Sequence, residues 1–433
     1  MGRYCLTHNP TGMFWNKKLP GSSLLSTLFL SLILMITCSL LLLGVYYLRY
    51  FQIKDEINER LENDIQSVKT LLLADNKIHN GVYADSFLLF NQQPDSGYYI
   101  KEIWGAYPLA HIKASYKGRQ KELCFLYGAA TYPFADATLY LSDQNRPLSL
   151  VGDTYIEGKA YLPKSGIRSG FFQQKGFSRK RLIEGATDSS KKQLPDIIAT
   201  YKDHFKQYAQ LINGSAKTTA LTEDTQQSFT KSVQLYKTGS WGILNNRALS
   251  GKIMVISDSV IEVDKTSRLK DIILIAPFIH FKEGFEGPVQ ALALDSITVE
   301  SGCRLAYPSA LIGLGRQGEM GNTGSTITLH PNAVIEGIVA SFRGEKKSNI
   351  HPVVKIKQGA TVKGLVYCAG YAYLNGKVEG SIYTDFFFEQ RGPLTMENIL
   401  IDVSITRSPY LLQGHPFSFF EGARDQKVIS WLP

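Results

Sequence analysis

Ile335-Glu336-Gly337-Ile338-Val339, Val362-Lys363-Gly364-Leu365-Val366-Tyr367 and Val378-Glu379-Gly380-Ser381-Ile382-Tyr383 are one phrase written three times: an apolar residue, a charged one, a glycine, then strand formers. The glycines stand 27 and 16 residues apart, about one circuit or less of a coil made of short strands. In such a coil every second side chain points inward and stacks on its equivalent in the next circuit. Glycine serves where the backbone turns a sharp corner. One circuit cannot bury its own inner face, so copies stack and their hydrogen bonds run along the axis. Ile156-Glu157-Gly158, far upstream, is a fourth copy.

Short apolar and β-branched runs surround these phrases at 253–256, 260–263, 272–275, 292–294, 297–299, 327–329 and 353–356, each reading as a strand. Ser296-Ile297-Thr298-Val299-Glu300-Ser301-Gly302-Cys303 and Lys355-Ile356-Lys357-Gln358-Gly359-Ala360-Thr361-Val362 have the form strand, polar turn, glycine, strand. They resemble right-handed β-helices of the pectate-lyase type and the shorter β-helices of bactofilins. The expected fold is therefore mainly β: a right-handed single-stranded parallel β-helix over 246–405. A β-sandwich is the rival, and it needs the long antiparallel strands and Asn-Gly or Asp-Gly hairpins that this region largely lacks.

At the other end of the chain, 24–48 is uninterrupted by charge, and no charged residue lies between Lys18 and Arg49. About 20 apolar residues suffice for a helix to cross a bilayer. Ser26, Ser31, Thr37 and Ser39 are tolerable inside it because a hydroxyl can bond back to the carbonyl one turn earlier. Arg3, Lys17 and Lys18 precede the run without acidic company, whereas Arg49, Lys54 and Arg60 are mixed with Asp55, Glu56, Glu59, Glu62 and Asp64. Positive charge stays inside, so the sequence predicts a single-pass inner-membrane protein with a cytoplasmic N-terminus and an extracytoplasmic bulk. A cleaved secretory signal is the weaker rival, because the run exceeds a usual signal core and no small-x-small site follows. Ile53, Ile57, Leu61, Ile65, Val68 and Leu72 then continue a helical period, a stalk.

Lys17-Lys18-Leu19-Pro20-Gly21-Ser22-Ser23-Leu24-Leu25 and the helix behind it resemble the N-terminus of a minor type IV pilin or pseudopilin. The resemblance implies cleavage after Gly21 and a place in an envelope apparatus, with Ser26 standing where major pilins carry glutamate. The phrase at 147–167, PLSLVGDTYIEGKAYLPKSGI, resembles uncharacterised membrane-anchored proteins of Bacteroidota with a β-helix ectodomain, which carry no assigned activity. The organisation expected is a leader at 1–20, a membrane helix at 21–48, a stalk at 49–76, a β-rich start of the ectodomain at 77–185, a helical insertion at 186–245, the β-helix at 246–405, and a tail at 406–433 covering its open end. Within the insertion, Ile197, Ile198, Tyr201, Phe205, Tyr208 and Ile212 form the apolar face of a helix opening at Leu194-Pro195-Asp196.

The 433 residues carry a net charge of +9, and much of the excess lies in Lys164, Arg168, Lys175, Arg179, Lys180 and Arg181. That segment is either a solvated loop or a patch for anionic lipid, polysaccharide or DNA, and an envelope protein or polysaccharide is the partner expected of the chain. No nucleic-acid binding is expected, because aromatic interleaving is confined to Phe171, Phe172 and Phe177. Cys124, Cys303 and Cys368 lie outside the membrane on this topology, with room for at most one disulfide; buried thiols are the alternative. No cofactor and no metal site is predicted: His280, His330 and His351 are dispersed. Gly313-Leu314-Gly315-Arg316-Gln317-Gly318 has dinucleotide-loop spacing but precedes no helix, and 313–325 reads as a projecting loop. Asp258, Glu262, Asp264 and Asp271 stand close enough to share a groove, which keeps a tethered polysaccharide lyase or hydrolase as the alternative to a non-enzymatic structural or interaction protein.

Overall fold

Strand formers that alternate in and out along a parallel ladder must satisfy two environments at once, and here both are apolar. In the computed structural model, which describes residues 21–77, 81–89, 96–214, 224–316, 324–343, 351–407 and 417–433, Val255, Leu274, Leu311, Val339, Val366 and Ile382 belong to one column of register partners. All are buried in a single interior core. Their neighbours Ile256, Ile275, Leu292, Ile312, Ala340 and Tyr367 point the other way, into a second core. This explains why the strands read as continuous apolar runs rather than as alternation. Each such valine, leucine or isoleucine contributes about 1.5–3 kcal/mol on burial.

The chain is mainly β, and the pairings between successive strands from Gln234–Lys237 to Lys377–Arg391 are parallel. Long strands such as Ile272–Phe281 bend and serve two ladders, pairing with Ile253–Ile256 through one half and with Val260–Val263 through the other. The repeated phrase falls where it was expected. Gly337 pairs with Gly364, and Gly364 with Gly380. Their φ values are 139°, 143° and 154°. A Cβ on Gly364 would lie 2.0 Å from the Gly337 carbonyl oxygen, and one on Gly380 1.9 Å from that of Gly364. Only glycine admits this backbone and this approach.

The ladder does not stop at the last downstream strand. Ile382, Tyr383 and Thr384 pair with Leu139, Tyr140 and Leu141, which pair in turn with Lys159–Leu162 and these with Thr187–Ser189. Residues upstream thus continue the stack past its downstream end. The chain then passes through helix α2 (Ala199–Asn213) to the opposite end, where Thr225–Gln227, Gln234–Lys237 and Trp241–Leu244 begin the stack earlier than residue 246. The segment at 164–192, expected as a loop, is the terminal layer: Ile167, Phe177, Leu182 and Ile183 pack on the interior core. One inward side chain at a time leaves too sparse a pattern to stand out among the lysines and arginines.

A five-stranded antiparallel sheet, in the order Tyr83–Leu88, Ser96–Trp104, Tyr107–Tyr116, Arg119–Thr131, Arg424–Leu432, lies against the second core. Lys117 and Gly118, both at positive φ, make the tight turn between its third and fourth strands. Among the described residues of the tail, the Arg424–Leu432 strand is the sheet's edge, antiparallel to Arg119–Thr131, and the Pro433 carbonyl accepts from the Phe229 N–H. α2 packs Tyr201, Phe205, Tyr208 and Ile212 on the same core, the face read from sequence. It begins at Ala199, later than the Leu194-Pro195-Asp196 opening, because the Ile198 N–H donates to Phe419 and holds that residue extended.

Helix α1 (Gly21–Ala74) divides between two compact units, 1–62 and 63–433. Its first part is long and apolar enough to cross a membrane. Within it Ser26, Ser31 and Thr37 donate back to the carbonyls of Ser22, Leu28 and Leu34 at 2.6–2.9 Å. Its last turns belong to the second unit, where Ile65, Val68 and Leu72 are buried. The expected leader, and most of the expected loop at 313–325, lie outside the described residues.

Candidate functional site

The terminal layer gathers the basic residues singled out in the sequence. Arg168 lies on the strand Ile167–Ser169 and donates to the Ser149 hydroxyl at 3.0 Å. Lys175 stands on a two-strand hairpin and pairs with Asp402 at 2.6 Å. Burial pushes the Asp402 carboxyl up, but Lys175 and the Asp153 N–H outweigh it and hold the group below its ordinary value. Arg179 pairs with Asp153 at 2.9 Å and lies over the Tyr155 ring, while Arg181 meets Glu184 at 3.6 Å. Three of the six cations are thus matched, and Lys164, Arg168 and Lys180 have no carboxylate within ion-pair distance among the described residues. Phe171, 74% exposed, stands on the same hairpin.

The four carboxylates considered as a groove do not converge. Asp258 is paired with Lys237 at 2.8 Å, and Asp271 is buried with its carbonyl accepting from the Trp104 indole. Asp264 is spent on its own turn, accepting from the Thr266 N–H and hydroxyl, which lower its pKa. Only Glu262 and Asp264 share a shallow hollow, of about 310 Å³. Two of the histidines do meet. His280 bonds Glu300 at 2.9 Å and His330 approaches the other oxygen of Glu300 at 3.6 Å. The hydrogen bond from His280 holds the Glu300 carboxyl below its usual range. His351 stands apart, against Arg343.

A cleft of about 660 Å³ opens between α2 and the stack. The residues one place past the ladder positions Ala293, Gly313, Ser341 and Cys368 are Leu294, Leu314, Phe342 and Ala369, and they form its floor. Phe205 of α2 stacks on Phe342 at 5.3 Å, and Tyr367 follows Phe342 at 5.6 Å. Around this apolar floor stand Lys202, Lys206, Arg316 and Arg343, with Asp196 the acidic residue among the lining side chains. Arg316 donates its Nε to both oxygens of Asp295 at 2.7 and 2.9 Å, and that contact raises its pKa. Lys202 holds Asp196 at 2.6 Å. Sequence reasoning found the apolar face of α2 but none of these cations as a group. Their proximity depends on ladder register, which no local pattern announces.

Cys124, Cys303 and Cys368 are free and buried, far from one another in register. Burial pushes all three thiols up, Cys124 to about 12. Comparison with protein-family models, with curated proteins and with solved structures finds no match for this chain.

Proposed function

We propose that this chain is a single-pass inner-membrane protein with its N-terminus in the cytoplasm and its body outside. The body is a right-handed single-stranded parallel β-helix acting as a non-enzymatic scaffold that engages an anionic envelope polymer through its terminal layer. The observation that carries the reading is the concentration of Lys164, Arg168 and Lys180, unmatched by carboxylates among the described residues, on one end of the stack with an exposed Phe171. Exposed charges on a rigid layer attract a polyanion over about a Debye length, ~8 Å at physiological salt. The apolar part of α1 and the basic flank before it support the anchor and its orientation.

The test is co-sedimentation of the full chain, in phosphatidylcholine nanodiscs, with polygalacturonate. Binding that weakens with salt and disappears in the triple variant Lys164→Glu, Arg168→Glu, Lys180→Glu upholds the proposal; binding unchanged by the triple variant removes it. A narrower version makes the chain a minor pilin-like component of an envelope apparatus, and mass spectrometry of the mature N-terminus decides it, since an intact residue 1 excludes cleavage after Gly21. The row Glu262, His280, Glu300 and His330 on one face favours a second reading, a tethered polysaccharide lyase or hydrolase. New reducing ends or unsaturated sugars released from polygalacturonate by the full chain would establish it instead.

A further inference from the structure

We infer that the cleft beside α2 binds an amphiphilic anion, an apolar chain laid along Leu314 and Phe342 under Phe205 with one carboxylate or phosphate head held at Arg343 and Lys206. None of the residues of the basic terminal layer lines it, so the inference stands apart from polymer binding.

Size comes first. A volume of about 660 Å³ lies within the ~300–1,000 Å³ of sites that enclose a small organic ligand. Lining chemistry is next. Ile312, Ala340 and Tyr367 are buried, whereas Leu294, Phe342 and Ala369 are half-buried. The uncovered part of that floor is apolar and faces the cleft, so a purely polar ligand laid on it would lose water without gaining hydrogen bonds.

Charge then gives the sign. Lys202, Lys206, Arg316 and Arg343 line the cleft and Asp196 is the carboxylate among the lining residues; Asp203 and Asp295 pair with Lys206 and Arg316 from outside the lining. Arg343 makes no ion pair with a carboxylate among the described residues; it bonds the His351 ring and attracts Asp385. Burial and the nearby guanidinium lower the His351 pKa, and Asp385 opposes them. Asp385 does not line the cleft and is bonded to the Ser142 hydroxyl at 2.7 Å, with burial pushing its carboxyl up against the pull of Arg343. Lys206, whose contact with Asp203 is 3.7 Å, stands on the α2 side of the same opening. An arginine fork and a lysine beside an apolar floor suit a compact anionic head on an apolar body.

The experiment is calorimetric titration of the full chain in phosphatidylcholine nanodiscs with laurate, dodecyl phosphate, dodecanol and inorganic phosphate, with empty discs subtracted. Saturable binding of laurate or of dodecyl phosphate is expected, the first pointing to a free acid and the second to a lipid phosphate as the head. Arg343→Gln should weaken it about tenfold, the loss of one charge-assisted contact. Ala369→Glu, which places a carboxylate on the floor, should abolish it, and unchanged thermal unfolding of both variants shows that the fold is kept. Dodecanol should bind at least about tenfold more weakly for the same reason, and inorganic phosphate not at all. Equal affinity of the wild type and both variants, equal binding of dodecanol, equal binding of inorganic phosphate, or no heat beyond that of empty discs overturns the inference.

Discussion

The Lys101 ammonium, 2% exposed, donates to the backbone carbonyl of Asp75 at 2.7 Å and to its carboxylate at 2.8 Å. Asp75 follows directly on α1, and Lys101 stands on the strand Ser96–Trp104. One side chain thus fastens the end of the helix to the sheet. Burial lowers the Lys101 pKa while Asp75 supports the charge. Lys101→Met removes the cation and takes the ammonium away from the Asp75 carbonyl and from a partly buried carboxylate, which also accepts from the Lys77 N–H at 3.1 Å. It should cost about 2–3 kcal/mol, read as a fall in the denaturant midpoint at constant slope. A double variant with Asp75→Asn should recover part of that loss.

Acid should weaken the body through His204. Burial holds its pKa down at about 4, against 6.5 for a free imidazole, and outweighs a hydrogen bond with the Ile103 backbone that acts the other way. Between those values the unfolded chain binds the proton and the folded chain does not. Stability therefore falls as pH drops from about 6.5 towards 4, by about 3 kcal/mol in all, and is level above. His204→Phe should flatten that slope in denaturation curves taken at pH 7, 5.5 and 4.

The glycine column predicts a contrast between two like substitutions. Gly364→Ala would set a methyl 2.0 Å from the Gly337 carbonyl oxygen at φ 143°, and should cost about 3 kcal/mol or prevent folding. Gly392→Ala, at φ 60° with open space around it, should cost only about 1 kcal/mol. Chemical denaturation of the two variants side by side measures the difference.

Thiol chemistry should track global opening. Cys124, Cys303 and Cys368 are buried and unpaired, with their thiols pushed up by burial, so maleimide should reach them only as the body unfolds. Labelling followed by mass spectrometry across a denaturant series should give all three the same midpoint. Modification of any of them in the native protein would contradict the packing described for it.

What was legible in the sequence was whatever one segment carries alone. The phrase around Gly337, Gly364 and Gly380 gave the layers, because charge, glycine and β-branching fall at fixed offsets within each copy. Ile156-Glu157-Gly158 was identified as a fourth copy, and Ile156 does pair with Ile405. The apolar faces of α1 and α2 were readable from their period. What required the fold was anything set by partners far apart in the chain. The pairing of Ile382 with Leu139, the tail's place in the sheet, and the cleft's four cations all arise from register between distant segments. The same holds for the basic segment, whose four inward apolar residues matter only once there is a core beneath them.

The join between Ile382 and Leu139 has a temporal meaning. Synthesis delivers 137–189 first, yet the surface on which that segment templates is completed only when 377–406 has been made. Until then the early strands wait with bare edges, the condition that invites association with other chains. The strands from 234 to 391 pair in the order they are made, but the upstream layers can dock only on the last of them, a late join set by long-range contacts.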